Sequence, residues 1–284
     1  MADPGQPLAE VFGYLMNDHT ERANRYRSRR LCPFNNKVPN CTKDKAKNPL
    51  GVCSIYHENH PVITCPIRFR EDWLIADDAA NFFFKEGTTW SSLTEVRLND
   101  SNGKSAGNID VVLVAYDSNG KVYDFGALEI QAVYISGNVR EPFEHYMKDP
   151  RGRASMDWSK EPNYPRPDYL SSTQERFVPQ LLCSSGILQS WGKKSAVALN
   201  RTFFNTLPKL HEVSKGEADI AWMVYDVVPG ANRNGQASRQ MELVLRTMVY
   251  SKWPDILKAE RIPIAEDIGA FLRRIDSMLD NVAV

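Results

Sequence analysis

Two long apolar runs joined by a tight turn constrain this chain more than any other feature. Residues 109–116 are β-branched and apolar, Ser118-Asn119-Gly120 supplies a turn, and residues 123–135 form a second run. The pattern predicts a β-hairpin inside a sheet. Side chains two apart on a strand share a face, so Glu129 and Gln131 point the same way, and hairpin pairing can bring Asp110 beside them. Ala127, Leu128, Ile130, Ala132 and Val133 surround Glu129. They indicate a strand largely buried on both faces, where a carboxylate needs a partner. Two converging carboxylates make a hard oxygen site suited to Mg²⁺. Among the acidic residues only Glu129 has Lys or Gln two positions on. Glu95, fifteen residues before Asp110, is a third candidate acid.

The rest of the chain reads as helices and strands built on one central sheet. A short helix is expected over residues 8–14, an irregular stretch over 31–66, and a helix over 71–86 ended by Gly87. A strand follows over 92–98, then the hairpin, then a long loop over 148–170. Helices are expected over 173–188, 201–210, 253–260 and 264–280, and strands near 195–199, 218–228 and 241–250. The fold class is α/β, a central mixed sheet flanked by helices. No apolar run approaches the ~20 residues needed to span a bilayer. The N-terminus lacks the basic-then-apolar pattern of a secretory leader, so a cytoplasmic protein is expected.

Cys32, Cys41, Cys53 and Cys65 fall within 34 residues, and Cys183 stands apart in an apolar helical context that makes it a core residue. In a cytoplasmic chain, clustered thiols point to a metal more than to disulfides. Thiolates select zinc or iron, and such a site can order a segment with little core of its own. The spacing is wider than that of a zinc finger. His57 and His60 are read as surface loop residues. The net charge is zero, yet residues 22–70 hold eleven Lys/Arg against Asp44 and Glu58. A basic block on a neutral chain is the footprint expected of a phosphate-binding face.

The hairpin resembles the PD-(D/E)xK nuclease core, with Ile109-Asp110 in the Pro-Asp position and Glu129-Ile130-Gln131 in the Glu-x-Lys position. More narrowly, the chain resembles the NotI-type restriction endonucleases. That likeness rests on Cys32-Pro33-Phe34, Gly51-Val52-Cys53, Thr64-Cys65-Pro66, Leu93-Thr94-Glu95-Val96, Gly126 to Gln131 and, more loosely, Arg201-Thr202-Phe203-Phe204. The resemblance implies a homodimer that cuts both strands of double-stranded DNA at a GC-rich palindrome. It implies structural iron on Cys32, Cys41, Cys53 and Cys65, with zinc as the alternative. It implies catalytic Mg²⁺ on Asp110 and Glu129, with Gln131 in the usual lysine's place and Glu95 assisting. Residues 1–70 would form a metal-bound, DNA-contacting subdomain and 71–284 the nuclease core. Gln131 can neither take a proton near neutral pH nor bring positive charge. Three other readings stay open: a catalytically inactive DNA-binding protein, a nonspecific repair nuclease, and a metal or redox protein centred on the cysteines. Arg25 to Arg30, Arg151, Arg153 and Arg166 are candidate base readers.

Overall fold

The structure, a computed structural model, describes residues 5–45, 47–99, 102–230 and 240–253. The expected helices over 253–260 and 264–280 fall almost wholly outside these residues. The N-terminal part contains β1 (Leu8–Val11), β2 (Tyr14–Leu15), α1 (Glu21–Ser28), β3 (Asp44–Lys45), β4 (Asn48–Pro49), β5 (Val52–His57) and β6 (His60–Ile63). A 3₁₀ turn, Pro66–Trp73, leads into α2 (Leu74–Phe83). Then come β7 (Trp90–Asn99), β8 (Ser105–Tyr116), β9 (Val122–Gln131), β10 (Tyr134–Ser136), α3 (Arg140–Lys148) and β11 (Arg166–Asp168). A π-helical turn, Ser171–Phe177, continues into α4 (Val178–Ser190). The described chain ends with β12 (Ser195–Asn200), α5 (Arg201–Phe204), β13 (Ile220–Pro229) and β14 (Met241–Ser251).

The central sheet has six strands in the order β14-β13-β12-β9-β8-β7. The middle strand β12 runs parallel to β9 and β13, and the remaining pairs are antiparallel. The fold is therefore mixed α/β, as the pattern predicts. One sheet face packs Val111, Leu113, Leu128 and Ile130 against α2 through Ile75, Ala79 and Phe82. The other face packs Val197, Leu199 and Trp222 against Phe177 and Leu181. β12 is buried along its whole length, which suits a strand covered on both sides.

The N-terminal region departs from expectation. Residues 8–11 form a strand and not a helix, because Leu8, Ala9, Glu10 and Val11 are all buried and β1 pairs with β5. A run of four buried residues carries no period that could distinguish the two. The stretch over 31–66 is not wholly irregular either. It holds the hairpin β5–β6, closed by Glu58-Asn59, both with positive φ (50° and 63°), the backbone of a type I′ turn. Helices α1 and α3 were not foreseen. Thr20 caps α1 by accepting from Ala23 N at 3.3 Å. The helix expected over 201–210 is only Arg201–Phe204.

A buried ionic network joins these parts. Arg68, with none of its surface exposed, meets Glu10 of β1 at 3.0 Å and Glu71 at 2.8 Å, and donates to Met241 O of β14 at 3.1 Å. Ser54 of β5 donates to the same Glu10 carboxylate at 2.7 Å. The Phe34 ring lies 4.3 Å from the guanidinium. Removing one member of a buried ion pair leaves an uncompensated charge, at a cost of about 3–5 kcal/mol. Arg68→Ala is therefore expected to lose about that much unfolding free energy in a urea titration. A loss comparable to that of a surface substitution would contradict this.

Candidate active site and cysteine cluster

The strand register brings the three predicted acids near one another. Thr94 pairs with Val111 and Val96 with Ile109, which brackets Glu95 opposite Asp110. Val111 pairs with Leu128 at the end of that ladder, and Asp110 and Glu129 are the next residues beyond it on the two strands. Directly opposed residues on antiparallel strands share a face. Gln131 lies one step further along that face and is half-buried, its amide donating to Ala132 O at 3.1 Å.

The acids differ sharply in surroundings. Glu129 is 5% exposed; its Oε2 accepts from Gln180 Nε2 of α4 at 2.9 Å, while Oε1 has no hydrogen-bond partner among the described residues. Burial, and then the charge of Asp110, push its carboxyl up to about 8. Asp110 is half-buried, and its Oδ2 accepts from Ile130 N at 2.8 Å. Burial raises it as well, with Glu95 adding a smaller push, while the Ile130 N–H and the charge of Arg70 pull it down. Glu95 is different. Its side chain is 68% exposed, its φ of 58° is left-handed for a strand residue, and Lys37 Nζ stands 3.7 Å from its Oε1. Such backbone strain is tolerated where surrounding structure enforces it, and it gathers at functional positions.

This arrangement is one a divalent cation would relieve. Two carboxylates side by side, one with an orphaned buried oxygen, repel each other until a cation is shared between them. Asp110 and Glu129 thus have the chemistry to hold Mg²⁺. Gln180 was missed as a site residue, because it comes from a helix remote in sequence and has no motif.

Cys65 electrostatically influences Cys32, Cys41 and Cys53. Burial pushes the Cys32 thiol up to about 12, and Cys41 and Cys53 upward too. Backbone N–H groups of Phe34 and Asn35 turn to Cys32, and that of Lys43 to Cys41. Such donors favour thiolate over thiol. Lys43 Nζ bridges the loops of Cys53 and Cys65, donating to Val52 O at 2.8 Å and Thr64 O at 3.0 Å. The donor set and its amide cradle fit a thiolate-bound metal. Among the described residues, however, no three His, Cys, Asp or Glu side chains form a ready-made ion-holding group. The side chain of Cys183 is outside what is described.

The basic block is not one continuous solvent face. Arg27, Arg68 and Arg70 are buried. Arg27 donates to Asp18 O and Leu15 O, so it is a brace within the N-terminal fold and not a base reader. Arg25, Arg29 and Arg30 remain at least partly exposed.

Fold and site together define a mixed α/β protein whose central hairpin carries an acidic pair, Glu129 buried and Asp110 half-buried. The family model described as restriction endonuclease NotI matches residues 10–239, and the chain belongs to that family. Members are type II restriction endonucleases, site-specific deoxyribonucleases, so DNA is the substrate. No curated protein matches the chain. Among the described residues no helix is long and apolar enough to cross a membrane.

The raised Glu129 carboxyl has a consequence for stability. In the unfolded chain it titrates near 4.5 and in the cation-free folded chain near 8, so folding favours its protonated form. Stability is therefore full below 4.5 and falls as pH rises toward 8. Glu129→Gln should melt higher than wild type in EDTA at about pH 9, with the gap closing toward about pH 5. An equal or lower melting temperature at the higher pH would contradict the assignment.

Proposed function

We propose that the chain hydrolyses both strands of double-stranded DNA at a GC-rich palindrome, as a homodimer, using water activated at a Mg²⁺ ion held by Asp110 and Glu129. The observation that carries this reading is the buried pair itself, with the unpartnered Oε1 of Glu129 beside Asp110 on paired strands. The spacing of Asp110, Glu129 and Gln131 supports a PD-(D/E)xK core of the Glu-x-Gln kind. The palindrome and the dimer rest on the family resemblance and on the match between two-fold protein and site symmetry.

When bound, Mg²⁺ would polarise the scissile phosphate and lower the pKa of a coordinated water. The chain's own residues do the rest. Gln180 holds the Glu129 carboxylate in one orientation, and the Ile130 N–H does the same for Asp110. Glu95, opposite Asp110, can accept a hydrogen bond from the attacking water. Gln131 fixes the strand end without taking a proton.

For Cys32, Cys41, Cys53 and Cys65 we infer a tetrahedral thiolate site holding iron, or zinc, with a structural role. It would order residues 1–70, the part we read as the DNA-contacting subdomain, ahead of a core over 71–284.

Plasmid DNA incubated with Mg²⁺ should give discrete bands, and EDTA should stop the reaction. Asp110→Ala and Glu129→Ala should abolish cutting while DNA binding, measured with Ca²⁺, stays near wild type. Smearing would instead select a nonspecific nuclease, and binding without cutting a degenerate core. A Glu95→Ala variant with wild-type activity and metal dependence would remove Glu95 from the scheme. Metal analysis of purified protein should find one iron or zinc per chain, lost in Cys53→Ser. Intact folding and DNA binding of a metal-free Cys53→Ser would contradict the structural role.

A further inference from the structure

The Arg201-Thr202-Phe203-Phe204 motif follows β12, and its first residue takes no part in the acid pair. Phe203 is fully buried, and so is Asn200, which caps α5 by accepting from Thr202 N at 3.3 Å. The Asn200 amide donates to Tyr225 O of β13, also at 3.3 Å. These contacts fix the backbone on both sides of Arg201, whose side chain is half exposed and whose Nε lies 2.8 Å from Asp226 Oδ2. Arg246 of β14 meets the same oxygen at 3.1 Å. It gets there through a β-bulge. Val224 pairs with Thr247 and Tyr225 with Leu245, which leaves Arg246 as an extra residue between them. Bulges re-aim a side chain and gather beside functional sites.

Arg201, Asp226 and Arg246 line a cleft of about 800 Å³ where β13 ends and β14 begins, with Leu8, Tyr56 and His60 contributed by the N-terminal sheet. Among the described residues Asp226 is the one acid in its lining, and the one carboxylate paired with either arginine. One carboxylate cannot neutralise two guanidiniums, so the cluster keeps a surplus of positive charge. A guanidinium has five donors, so both forks keep N–H groups for a further acceptor. The cleft is far larger than a lone inorganic anion needs and lies in the range that holds a nucleotide-sized ligand. We propose that it is a nucleotide-phosphate site, in which Arg201 and Arg246 grip the phosphate as two forks held ready by Asp226.

Two sources offer that phosphate, the backbone of the DNA substrate and a free nucleotide. Strand register favours DNA. Glu129 pairs with Val197 and Val197 with Trp222, and Trp222 shares a strand face with Asp226. Asp226 therefore lies on the sheet face that carries Glu129. It stands two strands across and about four residues further along, roughly 16 Å away on sheet geometry. That is well within one helical turn of duplex, about 34 Å, so one DNA molecule can span both places. The site lies apart from the acids and takes no part in bond cleavage, so it stands or falls independently of the Mg²⁺ reading.

The test uses the full chain in Ca²⁺ with two probes, a duplex that wild type cuts and deoxyadenosine monophosphate. Arginine labelling of wild type by phenylglyoxal, read by mass spectrometry, needs no variant. Bound duplex should slow the modification of Arg201 and Arg246 several-fold. Arg201→Gln combined with Arg246→Gln should weaken duplex affinity by about tenfold or more, as expected for a lost charged hydrogen bond. The slope of log affinity against log salt should become shallower by about one. Arg201→Lys combined with Arg246→Lys should regain that slope, because the slope counts charges, and a merely structural role would not restore it. Protection by the monophosphate without protection by the duplex assigns the site to a free nucleotide. If neither probe protects the two arginines, or if the glutamine pair binds both probes as wild type does, the proposal is overturned. So is an affinity loss that follows melting temperature and is not recovered by the lysine pair. Should the glutamine pair misfold, the labelling of wild type decides.

Discussion

A guanidinium with no exposed surface must find its counter-charges inside the protein, and Arg68 finds them on elements far apart in sequence. Glu10 comes from the first strand, Glu71 from its own turn, and the Met241 carbonyl from the last described strand. Glu71 also accepts from Leu243 N of that strand. Burial works against the charge of Arg68, yet the two carboxylates outweigh it and hold the guanidinium protonated. Each partner is useful only while the others are present, because a half-satisfied ionic network costs more than it contributes. The N-terminal sheet, the turn after Cys65 and the edge of the central sheet are therefore fixed together or not at all.

Arg68 lies three residues after Cys65, its N–H bonded to Cys65 O at 3.0 Å, and its guanidinium lies over Phe34, two residues after Cys32. The cysteine loops and the ionic network thus brace the same piece of chain. The hairpin contributes the opposite kind of energy: carboxylates crowded into a poorly solvated row, one of them with an oxygen that no hydrogen bond satisfies. Such a row survives because hydrophobic packing on both sheet faces holds the strands in register. Stability is spent where a cation is meant to return it.

Much of this was legible in the sequence where a short-range pattern carried it. Asp110 and Glu129 were found because side-chain direction alternates along a strand and a turn signal fixed the pairing. The strands β12, β13 and β14 were found from their apolar-rich runs. Residues 8–11 were misread as helix because a run of four buried residues carries no period. The hairpin β5–β6 was hidden because Glu58-Asn59 is an uncommon choice for a turn that needs two positive φ values. Gln180 joins the site through a hydrogen bond between distant elements, which no local pattern encodes. The basic block misled in part. Charge counted along a sequence cannot tell an exposed Arg30 from a buried Arg27 or Arg68, and only packing against Leu15, Asp18 and Glu10 separates them.

The central claim is that Asp110 and Glu129 share one divalent cation at the place where a DNA phosphate arrives. Its most direct test is an anomalous difference map from crystals of the chain with duplex DNA and Mn²⁺. The account predicts a peak at coordination distance from carboxylate oxygens of both Asp110 and Glu129, with a phosphate oxygen completing the site. A peak bound elsewhere on the chain, with the Asp110 and Glu129 side chains turned apart, would contradict it.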